Sequence, residues 1–204
     1  MISNLSFQRI KFPTALNTCS LAVVLLAASV ASAQTSTDSK IAKGKTAPEF
    51  QLQAVAGELS GEVKLSEVTK QGPVVLVVLR GFPGYQCPIC SRQVADLISK
   101  ANAFGKQDAK VLLVYPGPAA ELAQRADEFL KGTKLPAPFT LLIDPDYEFT
   151  NAYGLRWDAP RETAYPSTFV IDQDGVIQSV KISKTHGDRS KASDVVKAVA
   201  AIAS

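Results

Sequence analysis

Val74-Val75-Leu76-Val77-Val78-Leu79 is an apolar, largely β-branched run without a polar break. A strand of that kind is stable only if both its faces are covered, which calls for a layered α/β architecture. The run empties into a Gly/Pro loop, Arg80-Gly81-Phe82-Pro83-Gly84-Tyr85-Gln86, and then into Cys87-Pro88-Ile89-Cys90. An amphipathic pattern follows, with Ile89, Val94, Leu97, Ile98 and Ala101 at helical spacing, and predicts a helix from Cys87 to about Phe104. Both sulfurs therefore fall at a helix N-terminus, where unpaired N–H groups and the positive dipole end favour a thiolate. A thiolate is the form that attacks disulfides and peroxides, so Cys87 and Cys90 are the candidate redox pair.

The third cysteine, Cys19, lies in a segment with the three parts of an export signal. Arg9 and Lys11 form a basic region, Leu21 to Val30 an apolar one, and Ala31-Ser32-Ala33 a small-residue cleavage site. Residues 1–33 are expected to be removed after Ala33, delivering a periplasmic or secreted chain with no stable membrane insertion, whose only cysteines are the CxxC pair. Residues 34–42 read as a polar, disordered lead-in, and residues 43–204 as one domain. The leader holds two of the 22 basic residues and no acid, so the mature balance is 20 against 19. No basic stripe is present, which argues against nucleic acid as a partner.

The rest of the chain alternates strand and helix signals. Pro48 to Leu65, broken at Gly57 and Gly61, predicts an N-terminal β-hairpin. Val111–Tyr115 and Phe139–Ile143 predict buried strands, and Ala119–Lys131 a helix stopped by Gly132. Pro145–Tyr153 predicts a short helix. Thr168–Ile171 and Val176–Val180 form a hairpin around Asp174-Gly175, and Ser190–Ile202 closes the chain as a helix. This succession implies a mixed central sheet with helices on both faces.

That order of elements resembles the thioredoxin fold. Gly44-Lys45-Thr46-Ala47-Pro48-Glu49-Phe50-Gln51-Leu52 is similar to the opening of the alkyl hydroperoxide reductase/thiol-specific antioxidant (peroxiredoxin) family. Arg80-Gly81 with Cys87-Pro88-Ile89-Cys90-Ser91-Arg92-Gln93 resembles its CxxC-bearing branch, and Leu141 to Asp146 with Tyr153-Gly154-Leu155 its middle section. Tyr165-Pro166-Ser167-Thr168-Phe169-Val170-Ile171-Asp172 resembles the cis-proline segment of exported thioredoxin-like reductases. The resemblance implies an antioxidant or disulfide-exchanging oxidoreductase that needs no cofactor and is recharged by an external thiol reductant, thioredoxin-like or a membrane electron donor. It also implies a Cys87–Cys90 redox disulfide and a cis Tyr165–Pro166 bond lying against the pair.

Two registers share the motif. In the peroxiredoxin pattern Pro-x-x-x-Thr/Ser-x-x-Cys, Pro83 leads to Cys90, which would take the peroxide oxygen, with Cys87 at the Thr/Ser position. In the thioredoxin register Cys87 attacks a client disulfide and Cys90 releases the product. The chain departs from both families. The arginine that peroxiredoxins carry three residues before the Phe of the Phe-Val-Ile-Asp strand is replaced by Pro166, leaving Arg80 or Arg92 as substitutes. No acid lies between Glu67 and Asp96 to serve as the buried acceptor of thioredoxins, and Asp96 reads as a solvated charge.

Other uses of the pair fit less well. Zinc needs four ligands, and haem attachment needs His where Ser91 stands. A structural staple across two intervening residues closes too little chain to gain much. His186 reads as a surface-loop residue, and Trp157 and Tyr165 as packing near the site or its substrate groove, or equally in the core or at its rim. A redox-inert module binding clients along the Pro166 edge is the alternative outside enzymology.

Overall fold

The computed structural model describes residues 41–202. The leader, its Cys19 and residues 34–40 of the expected lead-in lie outside them. Ile41 is already packed in the core, so the folded unit begins slightly earlier than the expected residue 43.

Seven strands form one sheet among the described residues, in the order β2-β1-β5-β4-β3-β6-β7. The N-terminal hairpin is β1 (Gln51–Gly57) with β2 (Gly61–Lys64), and a short helix α1 (Leu65–Thr69), which the sequence pattern did not announce, follows it. The apolar run becomes β3 (Val74–Val78), in the interior of the sheet. It pairs in parallel with β4 (Lys110–Gly117) and antiparallel with β6 (Ser167–Ile171). β4 pairs in parallel with β5 (Phe139–Pro145), and β6 turns back into β7 (Ile177–Ile182).

Strand alternation explains why β3 reads as unbroken. Val75, Val77 and Leu79 join a cluster with Val94 and Leu97 of α2 (Pro88–Ile98), Phe104 of α3 (Ala101–Gly105), Leu122, Ala126 and Phe129 of α4 (Leu122–Leu130), and Val195 and Val199 of α6 (Ala192–Ala200). Val74, Leu76 and Val78 point the other way, into a cluster with Leu65 and Val68 of α1 and Phe149 of α5 (Glu148–Ala152). Successive side chains of a strand face opposite sides, so a strand covered by two layers needs an apolar residue at every position. Both thiols belong to the first cluster. The expected single helix after the motif is two: α2 stops at Ile98, and α3 begins at Ala101 beyond a turn at Ser99 and Lys100.

The loop between β3 and the thiols crosses close over β4. Gly81 has φ +73°, and a Cβ there would stand 1.9 Å from the carbonyl oxygen of Pro116, which accepts the Phe82 N–H at 3.1 Å. Only glycine combines that backbone with that approach. Gly81→Ala should therefore lower stability by about 2 kcal/mol or more, seen as an earlier urea midpoint by circular dichroism.

Candidate active site

Cys87 is the N-cap of α2, in extended conformation (φ −84°, ψ 108°), and Pro88 occupies the first turn, where a missing N–H costs nothing. Its sulfur takes the place of a capping oxygen and accepts the Cys90 N–H at 3.3 Å. Both sulfurs are free thiols and almost wholly buried, Cys87 at 3% exposure and Cys90 at 1%. The two thiols are pushed apart in acidity. Hydrogen bonding from Cys90's thiol, its N–H, and the fields of Arg189 and Arg80 outweigh burial and bring Cys87 down to about 5. Cys90 is driven up by that same charged neighbour and by burial, against the pull of Arg189 and the Arg80 N–H.

The residue before the motif is tied to the scaffold. Tyr115 on β4 donates its phenol to Gln86 Oε1 at 2.8 Å, and Gln86 Nε2 donates to the Arg125 carbonyl on α4 at 2.9 Å. At the head of the loop, Arg80 is buried and uses its whole guanidinium. Nε donates to Glu162 Oε2 at 2.6 Å, Nη1 to Tyr85 Oη at 2.5 Å, and Nη2 to the Arg161 carbonyl at 2.5 Å. Burial pushes Glu162 up, but the hydrogen bonds from Arg80 and His186 win and hold it below the usual carboxylate range. His186 Nε2 lies 2.9 Å from the other Glu162 oxygen. Its ring sits 5.2 Å from Trp157, which stacks on Tyr165 at 4.7 Å and 8°.

Arg189 is the residue that sequence reasoning missed. It stands just before α6, and its Nη2 lies 3.7 Å from Cys90 Sγ. Nη1 donates to Gln93 Oε1 at 2.7 Å and Nε to the His186 carbonyl at 2.8 Å. Its one signal in the sequence is its place beside His186 in the Lys184–Arg189 loop. Of the two arginines that were named, Arg80 acts on Cys87 through its charge and on Cys90 through its backbone N–H, whereas Arg92 is exposed on the outer side of α2. Asp96 is exposed as expected, yet it also accepts the Ala192 N–H at 2.9 Å and so anchors the start of α6 to α2.

Pro166 departs from expectation. The one cis bond among the described residues is Ala137–Pro138, so Tyr165–Pro166 is trans. The backbone on both sides is already engaged: Tyr165 N–H donates to the Leu155 carbonyl at 2.8 Å, and the Pro166 carbonyl accepts the Ser183 N–H at 2.8 Å. The segment runs straight into β6, as a proline at a strand start can. Register places it at the thiol end of the sheet, since the next residue, Ser167, pairs with Val78 of β3.

A thioredoxin-like sheet that delivers two buried, charge-coupled thiols to one helix N-terminus defines a thiol-based oxidoreductase. Residues 43–180 match the AhpC/TSA family, and the chain belongs to it. It is 30% identical to chloroplastic peroxiredoxin Q of Sedum lineare over 69% of each chain. It is 31% identical to peroxiredoxin-2 of Bos taurus over 72% of each. Among solved structures, Mycobacterium tuberculosis AhpC superposes with a TM-score of 0.64 at 19% identity, covering 80% of this chain and 94% of that one.

The ionisation of Cys87 leaves a pH signature. Its folded value of about 5 lies below the ordinary 9, so its contribution to stability is complete above pH 9 and is lost as pH falls through about 5. Thiolate absorbance of the reduced protein should rise with a midpoint near 5. In Cys87→Ser that step should vanish.

Proposed function

We propose that this chain is an exported peroxidase that reduces small peroxides with the Cys87 thiolate and resolves the product with Cys90. The observation that carries the reading is the hydrogen-bonded thiolate at the α2 N-cap, buried to 3% exposure with its partner at 1%. A small hydroperoxide demands far less room at sulfurs so enclosed than a disulfide on a folded client does. The peroxiredoxin relatives support the same choice of substrate.

In the first step the Cys87 sulfur attacks one peroxide oxygen, the O–O bond breaks, and the departing oxyanion takes up a proton to leave as water or an alcohol. Cys87 is then a sulfenic acid. Cys90 displaces its hydroxyl, forming the Cys87–Cys90 disulfide and releasing water. An external dithiol supplies the two electrons and two protons that restore the pair. This order gives the attack to Cys87 instead of Cys90, the attacker in the peroxiredoxin register, because hydrogen bonding from Cys90 favours the charge on the N-cap sulfur and burial opposes it on Cys90. Export rests on the three-part leader in residues 1–33.

Stopped-flow mixing of reduced single-cysteine variants with hydrogen peroxide tests the scheme. Cys90→Ser should react once and stop at a sulfenic acid on Cys87. Cys87→Ser should react more slowly at neutral pH, by about tenfold or more, because burial opposes ionisation of the remaining thiol. The reverse asymmetry would return the attack to Cys90. Rates no better than a free thiolate in both variants, with a client protein trapped on Cys87 of Cys90→Ser, would make the chain a disulfide reductase. N-terminal sequencing of protein from the native host should begin at Gln34, and an intact Met1 in the cytosol would refute export.

A further inference from the structure

The sulfur that touches a guanidinium is not the one at the helix N-cap. Arg189 Nη2 lies 3.7 Å from Cys90 Sγ, while hydrogen bonding from Cys90 lowers the Cys87 thiol. The guanidinium is held from two further sides, by Gln93 Oε1 on α2 at 2.7 Å and by the His186 carbonyl at 2.8 Å. Its loop is fastened in turn. Ser183 N–H bonds to the Pro166 carbonyl, Ser183 Oγ donates to the Asp188 carbonyl, Lys181 pairs with Asp188 at 2.6 Å, and His186 meets Glu162. So many fixings aim the fork at one atom.

We infer that Arg189 is a catalytic residue of the second chemical step, stabilising Cys90 as a thiolate once Cys87 has been oxidised. This inference rests on the proposed peroxide cycle for its place in the sequence of steps, but not for the contact itself. In the reduced protein, Cys90 is kept protonated chiefly by its hydrogen bond to the charged Cys87, with burial and the repulsion of that charge beside it. Oxidation of Cys87 to the neutral sulfenic acid removes that charge. Burial is then opposed by Arg189 and by the Arg80 N–H, and the groups facing Cys90 are Cys87, Arg80, Arg189 and the phenol of Tyr115. Cys90 gives up its proton, its sulfur displaces hydroxide from Cys87, and proton and hydroxide leave together as water. The S–O bond breaks as the S–S bond forms, with no further oxidant. The basic group that the family pattern expects at position 166 is thus supplied from the other end of the domain, to the resolving sulfur.

Cys87→Ser isolates Cys90 and mimics the loss of the neighbouring charge. Its thiolate absorbance should titrate about one unit lower in pH with Arg189 present than in Cys87→Ser/Arg189→Gln, a tenfold difference in thiolate. Arg189→Lys on the same background should lie between them, and it provides the comparison if the glutamine variant does not fold. In the two-cysteine protein, Arg189→Gln should prolong the sulfenic acid after one equivalent of hydrogen peroxide, raising capture by dimedone about tenfold. Equal Cys90 midpoints with and without the guanidinium, in proteins whose circular dichroism matches, would overturn the inference. A shifted midpoint in a protein that never consumes peroxide would uphold the contact and reject the peroxidase cycle.

Discussion

A strand buried on both faces cannot lie at a sheet edge or under a single layer of helices, and β3 is such a strand. Its two rows of side chains serve two separate clusters, so nearly every helix in the domain packs against residues that β3 helps to assemble. The loop leaving that strand inherits its rigidity. Gly81 crosses against Pro116, Gln86 is held by Tyr115 and Arg125, and Cys87 arrives at the α2 N-terminus with its backbone already extended. A thiol placed this way is oriented before any substrate arrives, which is how a short-lived encounter with a small oxidant becomes productive.

Charge at the site is managed by division. Two thiolates this close would repel each other in an apolar setting, so ionising one suppresses the other. Hydrogen bonding from Cys90, its thiol first and its N–H after, favours the charge on Cys87. The arginines flank the pair from opposite ends of the chain: Arg80 arrives with β3, and Arg189 arrives ahead of α6. Glu162 joins the two supports, accepting from Arg80 with one oxygen and meeting His186 with the other, while the His186 carbonyl steadies Arg189. A carboxylate this enclosed is stable because both of its oxygens have cationic or polar partners.

The departures from the sequence pattern share a cause. The surroundings of Pro166 resemble those of thioredoxin-like reductases and imply a cis bond, yet Tyr165 pairs with Leu155 and the Pro166 carbonyl with Ser183, contacts that no local pattern displays. The apolar spacing from Ile89 to Ala101 continues across Ser99 and Lys100 even though the helix does not, because α2 and α3 bury the same side against the same cluster. Asp96 is as exposed as its position suggested, and only α6 lying alongside reveals that it caps a second helix.

What the sequence by itself determined is local in origin. Unbroken apolar runs set the interior strands, Gly and Pro set the loop, and Cys-Pro-x-Cys ahead of an amphipathic stretch put both sulfurs on a helix N-terminus. The tertiary structure alone decided which charges meet those sulfurs. Glu162 is 82 residues from Arg80, and Arg189 is 99 from Cys90. Backbone periodicity is written into neighbouring residues, whereas electrostatic partners are chosen by where the packed sheet brings distant loops together. The pair of thiols could therefore be read along the chain, and the arginine on its second sulfur could not.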